Sequence, residues 1–92
     1  MIYYAEIELF LYDCHSLKDK RSILLKVKNR LRKDLNIAIS EVDFQDLWQR
    51  AKLAVVTVSE SKVMNEKVLQ QALAIIDSFT ELERTTTVLE ER

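Results

Sequence analysis

Asp13-Cys14-His15 places a thiol nucleophile beside an imidazole base, with a carboxylate just before them. Nucleophilic catalysis needs the base within hydrogen-bond reach of the thiol it deprotonates. In an extended segment neighbouring side chains point to opposite faces, so Cys14 and His15 cannot share a proton. His15 is expected at a strand-to-helix turn on the surface, and no residue is assigned a catalytic role. With one cysteine and one histidine in the chain, a disulfide framework and an ordinary zinc site are excluded. No metal and no cofactor are expected.

The chain contains no glycine and no proline, where average usage would give about six and about five. A Walker loop, a Rossmann turn and a nucleophile elbow all need glycine where the backbone approaches a ligand or takes positive φ. The glycine-rich phosphate loop of an acylphosphatase falls to the same argument, and an amino-acid sensor of the ACT type is weakened by it. A non-enzyme is the expectation.

Charge offers a better lead. Residues 18 to 34 hold eight basic side chains (Lys18, Lys20, Arg21, Lys26, Lys28, Arg30, Arg32, Lys33) against Asp19 and Asp34, a net of +6. The remaining residues carry six basic and 13 acidic side chains, so the whole chain has a net charge of −1. A localised positive segment on an acidic body can bind a polyanion. At 100° per residue Lys18, Arg21, Lys28 and Arg32 align on one flank of a helix with Leu25 among them, a row suited to a phosphate backbone. Lysines and arginines that only solvate a helix face are the competing reading. Cations in the first turn face the positive end of the helix dipole, a cost that a ligand phosphate or a neighbouring acid would relieve.

Gln45-Asp46-Leu47-Trp48-Gln49-Arg50 is the second segment of interest, and two readings compete. In one, Trp48 caps the end of the core while Asp46 and Arg50 brace the turn as an ion pair. In the other, Trp48 offers a flat surface to a base or a partner loop, with Gln49 and Arg50 as hydrogen-bond donors.

The elements that must hold these residues follow from periodicity. Residues 2 to 12 alternate, with Tyr3, Ala5, Ile7, Leu9 and Leu11 on one side and Tyr4, Glu6, Glu8, Phe10 and Tyr12 on the other, a half-buried strand. Ser16 opens a helix with Asp19 as a weak capping box. Leu24, Val27, Leu31 and Leu35, flanked by Ile23, form its apolar stripe. Residues 36 to 44 alternate again, and 51 to 59 are nearly continuously apolar, as in a central strand. Ser61 starts a second helix, with Met64, Val68, Ala72, Ile75 and Phe79 as its stripe, broadened by Leu69 and Ile76. Residues 84 to 91, threonine-rich, form a last edge strand.

The order β-α-β-β-α-β, with two right-handed crossovers around a hairpin, gives a ferredoxin-like α+β domain over residues 1–92. Its four-stranded antiparallel sheet carries both helices on one face. The other face is left open, its rings Tyr4, Phe10 and Tyr12 separated by Glu6 and Glu8. Carboxylates there repel phosphate, so this face fits a protein interface at least as well as stacked bases. A chain this short buries only about two-thirds of the surface it exposes unfolded, and an oligomer would steady it.

Residues 16–22 (SLKDKRS), Arg30-Leu31-Arg32 running into Leu35-Asn36-Ile37, Ser40-Glu41-Val42 and residues 45–51 (QDLWQRA) together resemble the YlxP-like family of small bacterial proteins without an assigned function. The likeness runs from residue 1 to about residue 83, and the threonine-rich tail resembles Bacillus-type members. Many relatives carry glycine in place of Ala54. The resemblance implies a ferredoxin-like fold and a gene neighbourhood shared with translation-initiation and ribosome-maturation factors; it implies no reaction.

Taken together, these features lead us to expect a cytoplasmic, non-enzymatic adaptor near the ribosome. Its contact would be the first helix, through Lys18, Arg21, Lys28 and Arg32, and its partner ribosomal RNA or a ribosome-maturation factor. Trp48, Gln49 and Arg50 are the candidate base or partner contacts. The alternative is a homo-oligomeric protein-interaction module with no nucleic-acid contact. No membrane partner is expected, because no run approaches the roughly 18 apolar residues of a span, and glutamates interrupt residues 1–10 where a signal peptide would be apolar.

Overall fold

The computed structural model describes all 92 residues. It orders them as β1 (Ile2–Leu11), α1 (Leu17–Asp34), β2 (Ala38–Asp43), β3 (Arg50–Val58), α2 (Lys62–Asp77) and β4 (Leu82–Glu91). The strands form one antiparallel sheet in the order β2-β3-β1-β4, the ferredoxin-like arrangement expected from the element order. No helix is long and apolar enough to cross a membrane.

Alternation decides which face of the sheet is covered. Tyr3, Ala5, Ile7, Leu9 and Leu11 of β1 are buried beside Ala51, Leu53 and Val55 of β3. Leu24, Val27 and Leu31 of α1 and Leu69, Ala72, Leu73 and Ile76 of α2 complete the same core. Apolar area removed from water stabilises this layer by roughly 25 cal/mol per Å². Tyr4, Glu6, Glu8 and Phe10 lie on the opposite face, half-buried, with no helix over them.

Both helices start where hydroxyl caps were expected. Ser16 accepts from the Asp19 amide at 3.0 Å, satisfying one orphan donor of the first turn, and Asp19 reaches back past the cap to accept from the His15 amide at 3.3 Å. Ser61 accepts from the Met64 amide at 3.2 Å.

The α2 stripe departs from expectation by one position. Met64 is exposed and Val68 only half-buried, while Asn65 is fully buried. The Asn65 amide donates to the Met1 carbonyl at 3.2 Å, and the Ser59 amide donates to the same oxygen. That bond turns the first turn of α2 toward the start of β1, a long-range polar contact that periodicity does not register.

The second strand is also shorter than the expected 36–44. Phe44 leaves it with φ of 63°, and Asp13 ends β1 with φ of 48°. Without glycine, non-glycine residues must take the left-handed turns; Asp does so readily, whereas for a bulky aromatic it is a strained position.

Candidate nucleic-acid interface

The row Lys18, Arg21, Lys28 and Arg32 lies on the flank of α1 beside β2, because the Arg32 guanidinium reaches across to donate to the Ile39 carbonyl at 3.3 Å. Seven of the 14 cationic side chains pair with a carboxylate: Lys20, Lys26, Arg30, Arg50, Lys52, Arg84 and Arg92. Five of the seven without such a partner, Lys18, Arg21, Lys28, Arg32 and Lys33, belong to α1. Acids outside the helix reach only two of its cations, Glu41 pairing with Lys20 and Glu81 with Lys26, and leave this flank unpaired.

Lys20 leaves the basic group. It is 1% exposed, and its ammonium donates to the carbonyls of Phe44 at 2.6 Å and Leu47 at 2.8 Å. The Glu41 carboxylate lies 2.7 Å away. A lysine ammonium has three donors and finds three oxygens here. The crowding of cations in the first turn of α1 is thus eased by a neighbouring acid and two carbonyls.

These bonds hold the connection between β2 and β3. The Leu47 amide closes a turn onto the Phe44 carbonyl at 3.0 Å, and the Asp43 carboxylate accepts from the Phe44 amide at 2.7 Å. The Arg50 guanidinium sits 4.1 Å from the Phe44 ring centre, within cation–π range, and 3.6 Å from Glu8.

The first reading of the Gln45–Arg50 segment is therefore corrected in both parts. Arg50 pairs with Glu8 and the Phe44 ring rather than with Asp46. Trp48 does not cap the core: it is 52% exposed, because the turn that Lys20 closes carries it past the end of the sheet. Gln49 is exposed as well. Together with Phe10, residues 46–50 line an open hollow of about 510 Å³ at this end of the open face.

The centre of the open face is a ladder of ion pairs. Lys52 lies 3.5 Å from both Glu6 and Glu8, and with Arg50 also on Glu8 two cations balance the two carboxylates, which are not the free repulsive charges expected from the first strand alone. The Tyr4 hydroxyl donates to Glu6 at 2.6 Å. That bond holds the Glu6 carboxyl below its usual range, Lys52 adding to the effect, and raises the Tyr4 hydroxyl above its own. Phe10 and Tyr12 meet edge to face at 5.3 Å. Sequence reasoning missed Lys20, Glu41 and Phe44. An apolar-stripe position occupied by lysine, one turn before Leu24, was the available signal for the first.

Cys14 is buried and its thiol donates to the Ser16 carbonyl at 3.5 Å, while His15 is exposed. The two share no hydrogen bond.

Fold and surface together define a small ferredoxin-like α+β protein with one basic helix flank and an aromatic turn at the sheet end. The chain belongs to the family described as "Protein of unknown function (DUF503)", which matches residues 2–88. It is 48% identical over 87 residues to the uncharacterized protein YlxP of Bacillus subtilis (strain 168), an alignment covering 95% of each chain. The likeness thus extends beyond residue 83 into β4.

Proposed function

We propose that this protein is a cytoplasmic, non-enzymatic adaptor that binds RNA through the β2-side flank of α1. The observation that carries the reading is the concentration on one helix of cations with no carboxylate partner. Lys18, Arg21 and Lys28 supply the free charges, and Arg32 supplies a fourth that is tethered to β2. An 18-residue helix rises about 27 Å, enough to follow several phosphates. The gene neighbourhood that the family resemblance implies makes ribosomal RNA, or a maturation factor bound to it, the partner of choice. The separation of the Cys14 thiol from His15 supports the non-enzymatic part of the reading.

Titration of RNA against salt tests it. Each phosphate contact on a single strand contributes about −0.7 to the log–log slope, so four contacts give roughly −3. Arg21→Glu with Lys28→Glu should weaken binding to every sequence, since phosphate contacts do not read bases. Both side chains lie off the core, so the fold should persist. Absence of RNA affinity at low salt would sink the reading.

The second reading, a homo-oligomeric protein-interaction module without nucleic-acid contact, is favoured by β4. This ten-residue edge strand (Leu82–Glu91) has neither proline nor lysine, and leaves Val88 and Leu89 half-exposed.

A further inference from the structure

The β2–β3 turn is expensive to build. It takes an ammonium out of water, which is tolerated only because two turn carbonyls and the Glu41 carboxylate surround it. It also forces Phe44 into a left-handed conformation at φ of 63°, which is strained for a residue with a bulky side chain. The turn itself adds little apolar surface to the core: Leu47 and Trp48 are each about half exposed. A strained turn held by two carbonyl contacts to one buried lysine, and presenting a bare indole, is organised for something outside the chain.

Several features of the surroundings identify the occupant. The lysine that closes the turn projects from the first turns of α1, so this end of the helix lies against the turn. Of the cations without a carboxylate partner, Arg21 follows Lys20 directly, about 100° round the helix toward the flank that meets β2. Trp48 and Phe10 offer aromatic surface to the hollow, Arg50 enters it stacked on Phe44, and Gln49 and Asp46 supply polar groups at its rim. The Glu6 and Glu8 carboxylates in the middle of the open face are paired with Lys52 and Arg50, so they do not repel a polyanion that reaches the hollow.

We infer that Trp48, on the turn that Lys20 clamps, and Phe10 form a seat for one unpaired base of a single-stranded RNA whose phosphates run past Arg21 onto the cationic flank of α1. Stacking on an indole needs a base splayed out of its helix, which a duplex does not offer. The inference rests on the RNA reading above and narrows it to unpaired RNA.

Trp48 is the only tryptophan in the chain, so its emission reports on this seat alone. The full-length protein is titrated at low salt with a mixed-sequence single-stranded RNA and with a duplex of equal length. Single strands should quench the Trp48 emission and the duplex should leave it unchanged. Trp48→Ala should weaken single-strand binding about 5- to 150-fold, the range for loss of one stacked base, with the melting temperature and salt slope retained. Trp48→Phe should restore much of the affinity. Unchanged emission and an unaltered Trp48→Ala affinity, in a protein whose binding still falls with Arg21→Glu, overturn the base seat and leave the RNA reading standing. Failure of both RNAs to bind overturns the RNA reading, and the seat with it.

Discussion

A buried ammonium is stable only while every oxygen that faces it stays in place. Lys20 has three such oxygens, from Phe44, Leu47 and Glu41, and replacing it with an apolar isostere strands all of them. Lys20→Met should therefore destabilise the protein by about 3 kcal/mol, the scale for breaking a buried pair from one side. Lys28→Met, which removes a cation with no carboxylate partner, should stay within about 0.5 kcal/mol. Urea denaturation of both variants checks the contrast, and equal effects would mean that Lys20 is not a clamp. Glu6 supplies a pH test. Its folded-state value is lowered, chiefly by the Tyr4 hydroxyl. The bond thus adds stability that is present above the ordinary carboxylate value and is lost as pH falls through the lowered one. Tyr4→Phe should raise the Glu6 titration midpoint toward the ordinary range. Its stability deficit should be present at neutral pH and shrink in acid, as followed by carboxyl NMR and by unfolding at several pH values.

At the scale of elements, period and caps locate the pieces, because each is a local property of the chain. Ser16 and Ser61 open both helices as expected, and Ser16→Ala should cost about 1 kcal/mol, a loss readable in the thermal midpoint. The β1 alternation and the α1 stripe were legible for the same reason: burial there depends on spacing alone. What was not legible depends on contacts distant in sequence. Asn65 is drawn inward by Met1, 64 residues away. Lys20 is drawn inward by carbonyls 24 and 27 residues on, so a charge count assigns it to the surface. Trp48 illustrates the converse, since a large aromatic beside a strand reads as core until the turn that carries it is seen. The flank of Lys18, Arg21, Lys28 and Arg32 could be drawn from helical geometry, but not its orientation toward β2 or the tether of Arg32 to Ile39.

For the whole molecule, the two edges of the sheet present different surfaces. β2 is short, carries a register shift after Glu41, and is met by Arg32 and the cationic flank of α1. β4 is long and rich in threonine, with one irregularity near Thr85. Edge strands without proline, lysine or a covering element tend to pair with another chain. We expect two copies to join β4 to β4 in an antiparallel, isologous contact. Sedimentation should then give about twice the 10.8 kDa of one chain, and Thr86→Lys with Val88→Lys should return it to monomer. Because β4 and β2 are opposite edges of the same sheet, such a dimer leaves both α1 flanks free, at its two far ends. Edge pairing and RNA binding are then compatible, and bivalence gives a test that depends on both. On an RNA long enough to span the ends, the second contact becomes intramolecular, and affinity should exceed that of the lysine variant by about 10²-fold or more. On an oligonucleotide too short to span them, wild type and variant should bind alike. A monomer at micromolar concentration would rule out the edge dimer. A dimer that binds RNA through α1 yet shows no length dependence would place its axis elsewhere than β4.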